Sequence, residues 1–508
     1  MKKISGLLLV GFALLSNVLA AQTFSDLAMR YSRIRPGGSA RIQAMGGAQV
    51  SLGGDYSSAT SNPAGIGMFN KGELAFTPSL GFSNVNTNYL NNSTSASKST
   101  LSLPGFSVAF HKNYDRTERF LGGTFAITYN RVNDFNQNLT YSATNPNSSI
   151  VDYFINEANG YPPSQFDKNG ELYNDITGLA WDNFLFEEDP DNLNTYYPPL
   201  TSGIPFQKET IETRGAQNQW NFSYGANFND KFFLGGSVGF TSLRFKSKKL
   251  YTESFTLDDD QKVSDLSLQE NLDITGSGVN LNVGGIFRPV DGVQFGVSVS
   301  TPTFYQVSDS YSATVSSQWD NFFYGNDKQN KPIYLNNESA TTGQIVSEYS
   351  LNTPWKLSAG VTYFFGKRGL ITADIEQMSY NNAKYKTTNS LSYDADDADI
   401  DNTKIKSLYR NSTNLRVGGE YRYKVFRFRT GANYMSDPFN EKQDDVNRGI
   451  IGYSGGVGYR TSGFYIDLAV TSFQGKNSYR PYSVPTNSPL VKYDQKNTNV
   501  MLTLGFPF

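Results

Sequence analysis

Cysteine is missing from all 508 residues. Disulfide staples, thiolate metal sites and a cysteine nucleophile are thereby excluded. Histidine occurs once, at His111, with no recognisable serine nucleophile elbow to accompany it, so no catalytic residue is expected. Beyond the first fifteen residues no apolar run approaches the roughly 20 residues of a membrane-spanning helix. Charge of one sign is also lacking: 44 Lys and Arg face 46 Asp and Glu, a net charge of −2, which gives no reason to expect a nucleic-acid partner. Mean hydropathy is low, at −0.45. Yet aromatics reach 14%, dominated by 36 Phe and 32 Tyr, and Gly numbers 46. A polar average with so many rings suits strands that have one apolar and one polar face.

The N-terminus reads as an export leader. Lys2 and Lys3 supply a positive start, Leu7 to Leu15 an apolar stretch, and Val18-Leu19-Ala20 a small-residue end. Residues 1–20 are therefore expected to be a signal peptide, the stretch being too short for a membrane anchor.

Alternation with a period of two dominates the rest of the chain. Phe295, Val297 and Val299 alternate with Gly296 and Ser298, and Trp355, Leu357, Ala359, Val361 and Tyr363 with Lys356, Ser358, Gly360 and Thr362. Phe464, Ile466, Leu468 and Val470 make another such run, and Val500, Leu502, Leu504, Phe506 and Phe508 end the chain in the same way. Such faces fit a wall with lipid on one side and polar or small groups on the other. About fourteen strands are expected, centred near residues 77, 106, 126, 223, 237, 281, 297, 359, 373, 418, 429, 455, 467 and 502. Tight connections at Asn229-Asp230, Val290 to Gly292, Gly366 to Arg368, Tyr423-Lys424 and Thr461 to Gly463 alternate with long ones. The long ones are expected at 87–99, 144–210, 255–265, 317–344, 387–405, 437–448 and 478–495. Short turns on one side and long loops on the other mark an all-β, antiparallel transmembrane barrel of the bacterial outer membrane, closed because hydrocarbon offers an edge strand no partner. Outer-membrane lipid is then one partner, and the terminal Phe508 looks like the signal by which barrel-assembly machinery recognises such chains.

Residues 21–71 are too few for an independent domain and need a host. The lumen of a barrel formed by 72–508 is the obvious one, which makes this segment a small N-terminal hatch. Its glycine pairs, Gly46-Gly47 and Gly53-Gly54, precede "TSNPAGIGM", Thr60 to Met68. Pro63 fixes its own φ and restricts Asn62, while Gly65 and Gly67 permit close turns.

The stretch "AMGGAQVSLGGDYSSATSNPAGIGMF", Ala44 to Phe69, resembles the hatch of FadL-type outer-membrane transporters of long-chain fatty acids and other hydrophobic molecules. The resemblance implies a hatch-plugged fourteen-stranded barrel, which agrees with the strand count. It also implies passive uptake of a hydrophobic small molecule, without a cofactor. Asn62, Pro63, Ala64 and Gly65 would form the gate. Substrate in this family is thought to leave sideways near the hatch, and Gly122 and Gly123 could permit the distortion of a wall strand that this needs; packing against the hatch is the plainer role for them.

A head group needs a polar handle. With Leu415, Val417, Tyr421, Phe426 and Phe428 facing lipid, Arg416, Arg422, Arg427 and Arg429 face inward, since Arg at the lipid midplane would cost roughly 2–4 kcal/mol. They could meet a carboxylate, or pair with Asp374, Glu376, Glu420 and Asp55. The acidic stretches "DADDADID", Asp394 to Asp401, and "LDDDQ", Leu257 to Gln261, lack the glycine and terminal Glu of a calcium loop and read as solvated, so no metal is expected. A porin-like or structural barrel with surface-binding loops is the alternative function. Haem uptake has less support, from a single histidine.

Overall fold

The computed structural model describes residues 24–35, 37–113, 119–198, 203–255, 263–326, 329–388 and 393–508. The expected leader and the Leu257–Gln261 stretch lie outside them. Fourteen strands form the wall: β1 (Glu73–Tyr89), β2 (Asn92–Asn113), β3 (Phe120–Asp134, continued by Gln137–Thr144), β4 (Pro205–Phe228), β5 (Phe232–Phe255), β6 (Val263–Val290) and β7 (Val293–Ser300, then Phe304–Asn326). The second half comprises β8 (Pro332–Thr341, Ile345–Asn352 and Lys356–Phe364), β9 (Gly369–Ser379 and Lys384–Thr387), β10 (Asn411–Tyr423), β11 (Phe426–Met435), β12 (Ile450–Arg460), β13 (Tyr465–Tyr479) and β14 (Val491–Pro507). Neighbours pair antiparallel, and β1 pairs with β14 from Glu73↔Pro507 to Tyr89↔Val491, so the sheet closes on itself.

The period of two is visible as an apolar belt. Every strand turns a large apolar side chain outward, from Phe82 on β1 and Leu103 on β2 round to Leu468 on β13 and Phe506 on β14. A continuous apolar band of this kind is stable only against lipid. The barrel is an outer-membrane one.

Three expected outer loops turn out differently. Most of 317–344 is a hairpin: β7 runs to Asn326 and the chain returns as Pro332–Thr341 of β8, paired from Thr314↔Thr341 to Asn326↔Pro332, with largely polar outward residues that hide the alternation. Residues 87–99 are no loop: β1 and β2 run on through a two-residue turn at Leu90 and Asn91, both with positive φ. Their Ser, Thr and Asn side chains stand above the belt, where pairing persists but the apolar alternation that reveals a strand is lost. Within 387–405 the acidic stretch opens a helix, Ala395–Leu408. Asp394 caps it, accepting from the backbone N–H groups of Asp396 and Asp397 at 2.8 and 3.0 Å, so these carboxylates serve a helix N-terminus.

Residues 24–69 lie inside the wall. They form three short helices, α1 (Phe24–Ser32), α2 (Ala40–Gln43) and α3 (Ser58–Ser61), followed by a 3-10 turn, Pro63–Met68. The outer mouth is covered by two further helices, α4 (Ile150–Ala158) and α5 (Ile176–Asp182), while Ala395–Leu408, α6, packs against α1.

Candidate functional site

The hatch sits against the wall backbone to backbone, and the wall supplies glycine where it does. A Cβ at Gly225 would collide with Gly67, at Gly235 with Pro63, at Gly284 with the Asn62 side chain, at Gly296 with Val50, at Gly418 with Met45 and at Gly431 with Gly46. These positions fall on β4, β5, β6, β7, β10 and β11. They are mostly register partners as well: Gly225 opposes Gly235, Gly235 opposes Gly284, and Gly418 opposes Gly431. Flat patches result, into which the hatch backbone settles.

Directional bonds then lock the seat. The N–H groups of Gln49 and Val50 both donate to Asp374 Oδ2, at 2.6 and 3.0 Å, and Ala40 N donates to Thr503 Oγ1 at 2.8 Å. Gly46 N donates to Ser454 Oγ at 2.9 Å, and that hydroxyl donates to Ala44 O at 3.0 Å. Asn62 caps the 3-10 turn by accepting from Ala64 N at 3.2 Å. Its Nδ2 donates to Val50 O at 2.6 Å and to Gly285 O on β6 at 3.2 Å. The Asn-Pro-Ala-Gly turn thus ties the two halves of the hatch to each other and to the wall.

A charged clasp completes the arrangement. Glu420 stands 2.7 Å from both Arg422 and Arg429 and 3.6 Å from Arg41 of the hatch, and Arg429 reaches Asp467 at 2.5 Å. Glu376 holds Arg416 at 2.7 Å and Lys356 at 4.0 Å. Asp55 stays within the hatch, accepting from Ser39 Oγ at 2.7 Å and from Ser57 Oγ at 2.6 Å.

Between α1, the hatch and the wall remains a cavity of about 90 Å³, bordered by Tyr31, Arg35, Gln217, Asn282, Lys356 and Arg416 among others. Asn130 and Val132 of β3 also line it. Their neighbour Arg131 instead lines a notch on the outside, together with Thr100 and Leu101 of β2. The notch exists because the β2–β3 ladder, which runs from Asn113↔Gly122 to Gly105↔Asn130, stops there. Beyond it only side-chain contacts cross, such as Asn92 Nδ2 to Ser142 O at 2.6 Å.

No family model matches the chain, and no curated protein does. Among solved structures, a FadL homologue from Pseudomonas aeruginosa superposes with a TM-score of 0.52 at 13% identity, over 94% of this chain and 99% of that one. A deltaS2 mutant of the TodX monoaromatic hydrocarbon channel gives 0.51 at 12% identity, over 92% and 98%. The chain has the FadL-type fold.

Within that FadL-type frame the expected site residues separate. Arg416 and Arg429 point inward, buried in ion pairs, and Arg422 shares Glu420 with Arg429. Arg427 lies apart, near the short turn, donating to the backbone carbonyls of Lys424 and Phe426 at 2.8 and 2.9 Å. Of the four, only Arg416 borders the cavity. Gly122 and Gly123 are laddered on both sides, to Asn113 and Lys112 of β2 and to Asn227 and Ala226 of β4. The discontinuity sits higher on the same strand, just beyond the last pair Gly105↔Asn130, where Pro104 of β2 has no N–H to offer a ladder; that proline was the signal in the sequence.

Sequence reasoning passed over Lys356 and Arg35 as lumen cations. Lys356 was within reach, since it alternates with the lipid-facing Trp355 and Leu357. Arg35 lies in a segment without period. His111 is held at the end of β2, its ring nitrogens 2.8 Å from Thr124 Oγ1 and 2.7 Å from Asn113 Oδ1.

Proposed function

We infer that this barrel takes up hydrophobic small molecules passively, with long-chain fatty acids as the leading class, and is not an enzyme. The observation that carries this is the back-to-back placement of the lumen cavity and the outer notch: only the wall itself, at Asn130 to Val132 of β3 and Ala216 to Gln219 of β4, separates them, and Gly37 of the inner segment lies directly behind Arg131 O. A molecule descending past α1 would be stopped by the seated hatch and turned sideways between β2 and β3. Asn62, Pro63, Ala64 and Gly65 act in this reading as the fixed floor of the route. Arg416, joined by Lys356 and Arg35, is the head-group candidate that supports a carboxylate-bearing substrate. Arg422, Arg427 and Arg429 would act at a distance, through the clasp and the periplasmic turn. Gly122 and Gly123 would lend compliance to the base of β3.

The cavity is far below the roughly 300–1,000 Å³ of a drug-sized site, so the described conformation is the closed one. A porin-like barrel would need an open lumen, which α1 and the hatch fill. The neighbours' substrates suggest a direct test: whole cells carrying equal amounts of barrel are given labelled oleate or labelled toluene. Replacing Asn62 and Pro63 together by Ala should lower uptake of the true substrate several-fold while the barrel still assembles. Joining β2 to β3 through cysteines at Leu101 and Arg131, both on the outer rim of the notch, with a short reducible cross-linker should abolish uptake, and reduction should restore it. Unchanged uptake in both variants would overturn the reading.

A further inference from the structure

The outward face of β4 and β5 changes character abruptly. Trp220, Phe222 and Tyr224 on β4 and Leu234, Val238 and Phe240 on β5 form part of the apolar belt. Past them, toward the outer end, come Lys208 and Arg214 on one strand and Arg244, Lys246 and Lys248 on the other, all exposed. Arg214 and Lys246 face each other in register. From Phe240 to Arg244 is about 13 Å along the strand, so these cations begin where hydrocarbon gives way to head groups. On the flanking strands the equivalent outward positions are mostly uncharged, as with Asn84 and Asn86 on β1, Ser97 and Ser99 on β2 and Thr275 and Ser277 on β6.

Acids only partly answer them. Glu212 pairs with Arg214 at 3.2 Å, Asp273 pairs with Lys246, and Asp134 takes Arg131 at 3.0 Å. Lys208, Arg244 and Lys248 have no acidic partner among the described residues. Arg131 and Arg244 both line the notch at the β2–β3 break, a concavity of about 450 Å³ whose other borders include Thr100, Asn136 and Asn218. At its apolar edge Leu101 is 78% exposed, and Leu103 lies below it on the same outward face.

We propose that this notch binds the phosphorylated head group of an outer-leaflet lipid. Arg131 and Arg244 take the phosphate, and an acyl chain runs down over Leu101 and Leu103. Guanidinium groups present paired donors that match phosphate oxygens, and each charge so placed is tolerated only beyond the edge of the hydrocarbon. A free anion would satisfy the arginines alone; the leucines and the belt beneath them add the reason for a lipid. Basic clusters beside an apolar surface are the usual form of such recognition. The site is the outer face of the same β2–β3 break that the proposed route uses, but the lipid reading needs no particular molecule in the lumen.

The test uses the full chain in detergent, loaded with a bis-phosphorylated lipid A or its dephosphorylated counterpart and passed through gel filtration. Wild type should retain the phosphorylated lipid at least fivefold better, and equimolar inorganic phosphate should not displace it. The pair Arg244→Glu and Lys248→Glu should bring retention down to the dephosphorylated level, whereas Lys424→Glu, at the opposite rim, should change nothing. These side chains are exposed, and an unaltered heat-dependent gel shift confirms the barrel. Equal retention of the two lipids, displacement by inorganic phosphate, or an equal loss with Lys424→Glu would each overturn the proposal. So would competition by oleate that the same pair of substitutions removes, because the notch would then belong to the transported molecule.

Discussion

At the periplasmic end of the lumen the hatch touches the wall through glycines and is bonded to Asp374, Ser454, Thr503 and Gly285, one directional contact after another around the barrel. The outer end is covered by rings. Tyr153 and Phe154 of α4, Leu179 of α5, and Phe166, Phe186 and Trp319 form one buried apolar cluster, in which Phe166 and Trp181 stack 5.2 Å apart. Hydrogen bonds weaken steeply with misalignment, whereas apolar contact is non-directional. A small shift of the hatch would break many bonds at once, while the cap can slide and repack. The difference leads us to expect that the outer cap yields more readily than the floor, which fits a route that turns sideways. Polar ties moderate the contrast: Glu253 of β5 accepts from Ile150 N at 2.9 Å and Gln207 Nε2 at 2.7 Å, placing a carboxylate at the start of α4, and at the end of α5 Asn183 donates to Val315 O at 3.2 Å while its carbonyl accepts from Ser317 Oγ at 3.3 Å.

The sharpest way to break the comparison is at the clasp. Glu420→Ala leaves Arg41, Arg422 and Arg429 without their shared carboxylate, and removing one partner of a buried ion cluster costs roughly 3–5 kcal/mol. Hydrogen exchange followed by mass spectrometry should show residues 39–55 losing protection while α4 and α5 keep theirs. Loosening spread evenly over both ends would erase the distinction. The reciprocal change, Phe154→Ala, empties a fully buried position in the cap and should cost about 3 kcal/mol, at the low end for Phe because an apolar cluster can collapse. Exchange should rise in α4 and α5 with the hatch unmoved. Asn62→Ala is smaller, removing donations to Val50 O and Gly285 O at roughly 1–3 kcal/mol, and faster exchange should stay confined to residues 50–68.

How far these regions were legible in the sequence obeys the same division. Wherever lipid imposes alternation the strands could be read, as at Phe295 to Val299 or Trp355 to Tyr363, because a slip of one residue would bury the wrong face. Above the belt that constraint disappears, so the β1–β2 hairpin looked like a loop. The inward direction of Arg416 and Arg429 came from alternation too, but their partners did not. Pairing Arg429 with Asp467 requires knowing that β11, β12 and β13 are consecutive and in what register. Asp374 offered no hint that it would take two hatch N–H groups rather than an arginine. The Asn62 turn was recognisable through Pro63 and its glycines, while the matching glycines on six wall strands gain meaning only when the barrel is closed.

The smallest expected effect concerns pH and the element that closes over α1. Asp401 of α6 is buried beside Tyr393, whose hydroxyl donates to it at 3.2 Å, and burial raises its pKa from 3.8 to about 6. A folded-state pKa above the unfolded value means that the protonated acid is the better tolerated form. Between about pH 4 and 6 the packing of α6 therefore loses stability as pH rises, and above 6 the loss is complete. Once corrected for intrinsic exchange rates, amides of residues 395–408 should be better protected at pH 4.5 than at pH 7.5. Asp401→Asn, neutral throughout, should flatten that dependence and give at pH 7.5 the protection that wild type shows in acid. The hatch should be indifferent to both changes, so an equal pH response in residues 39–55 would show that floor and cap move together after all.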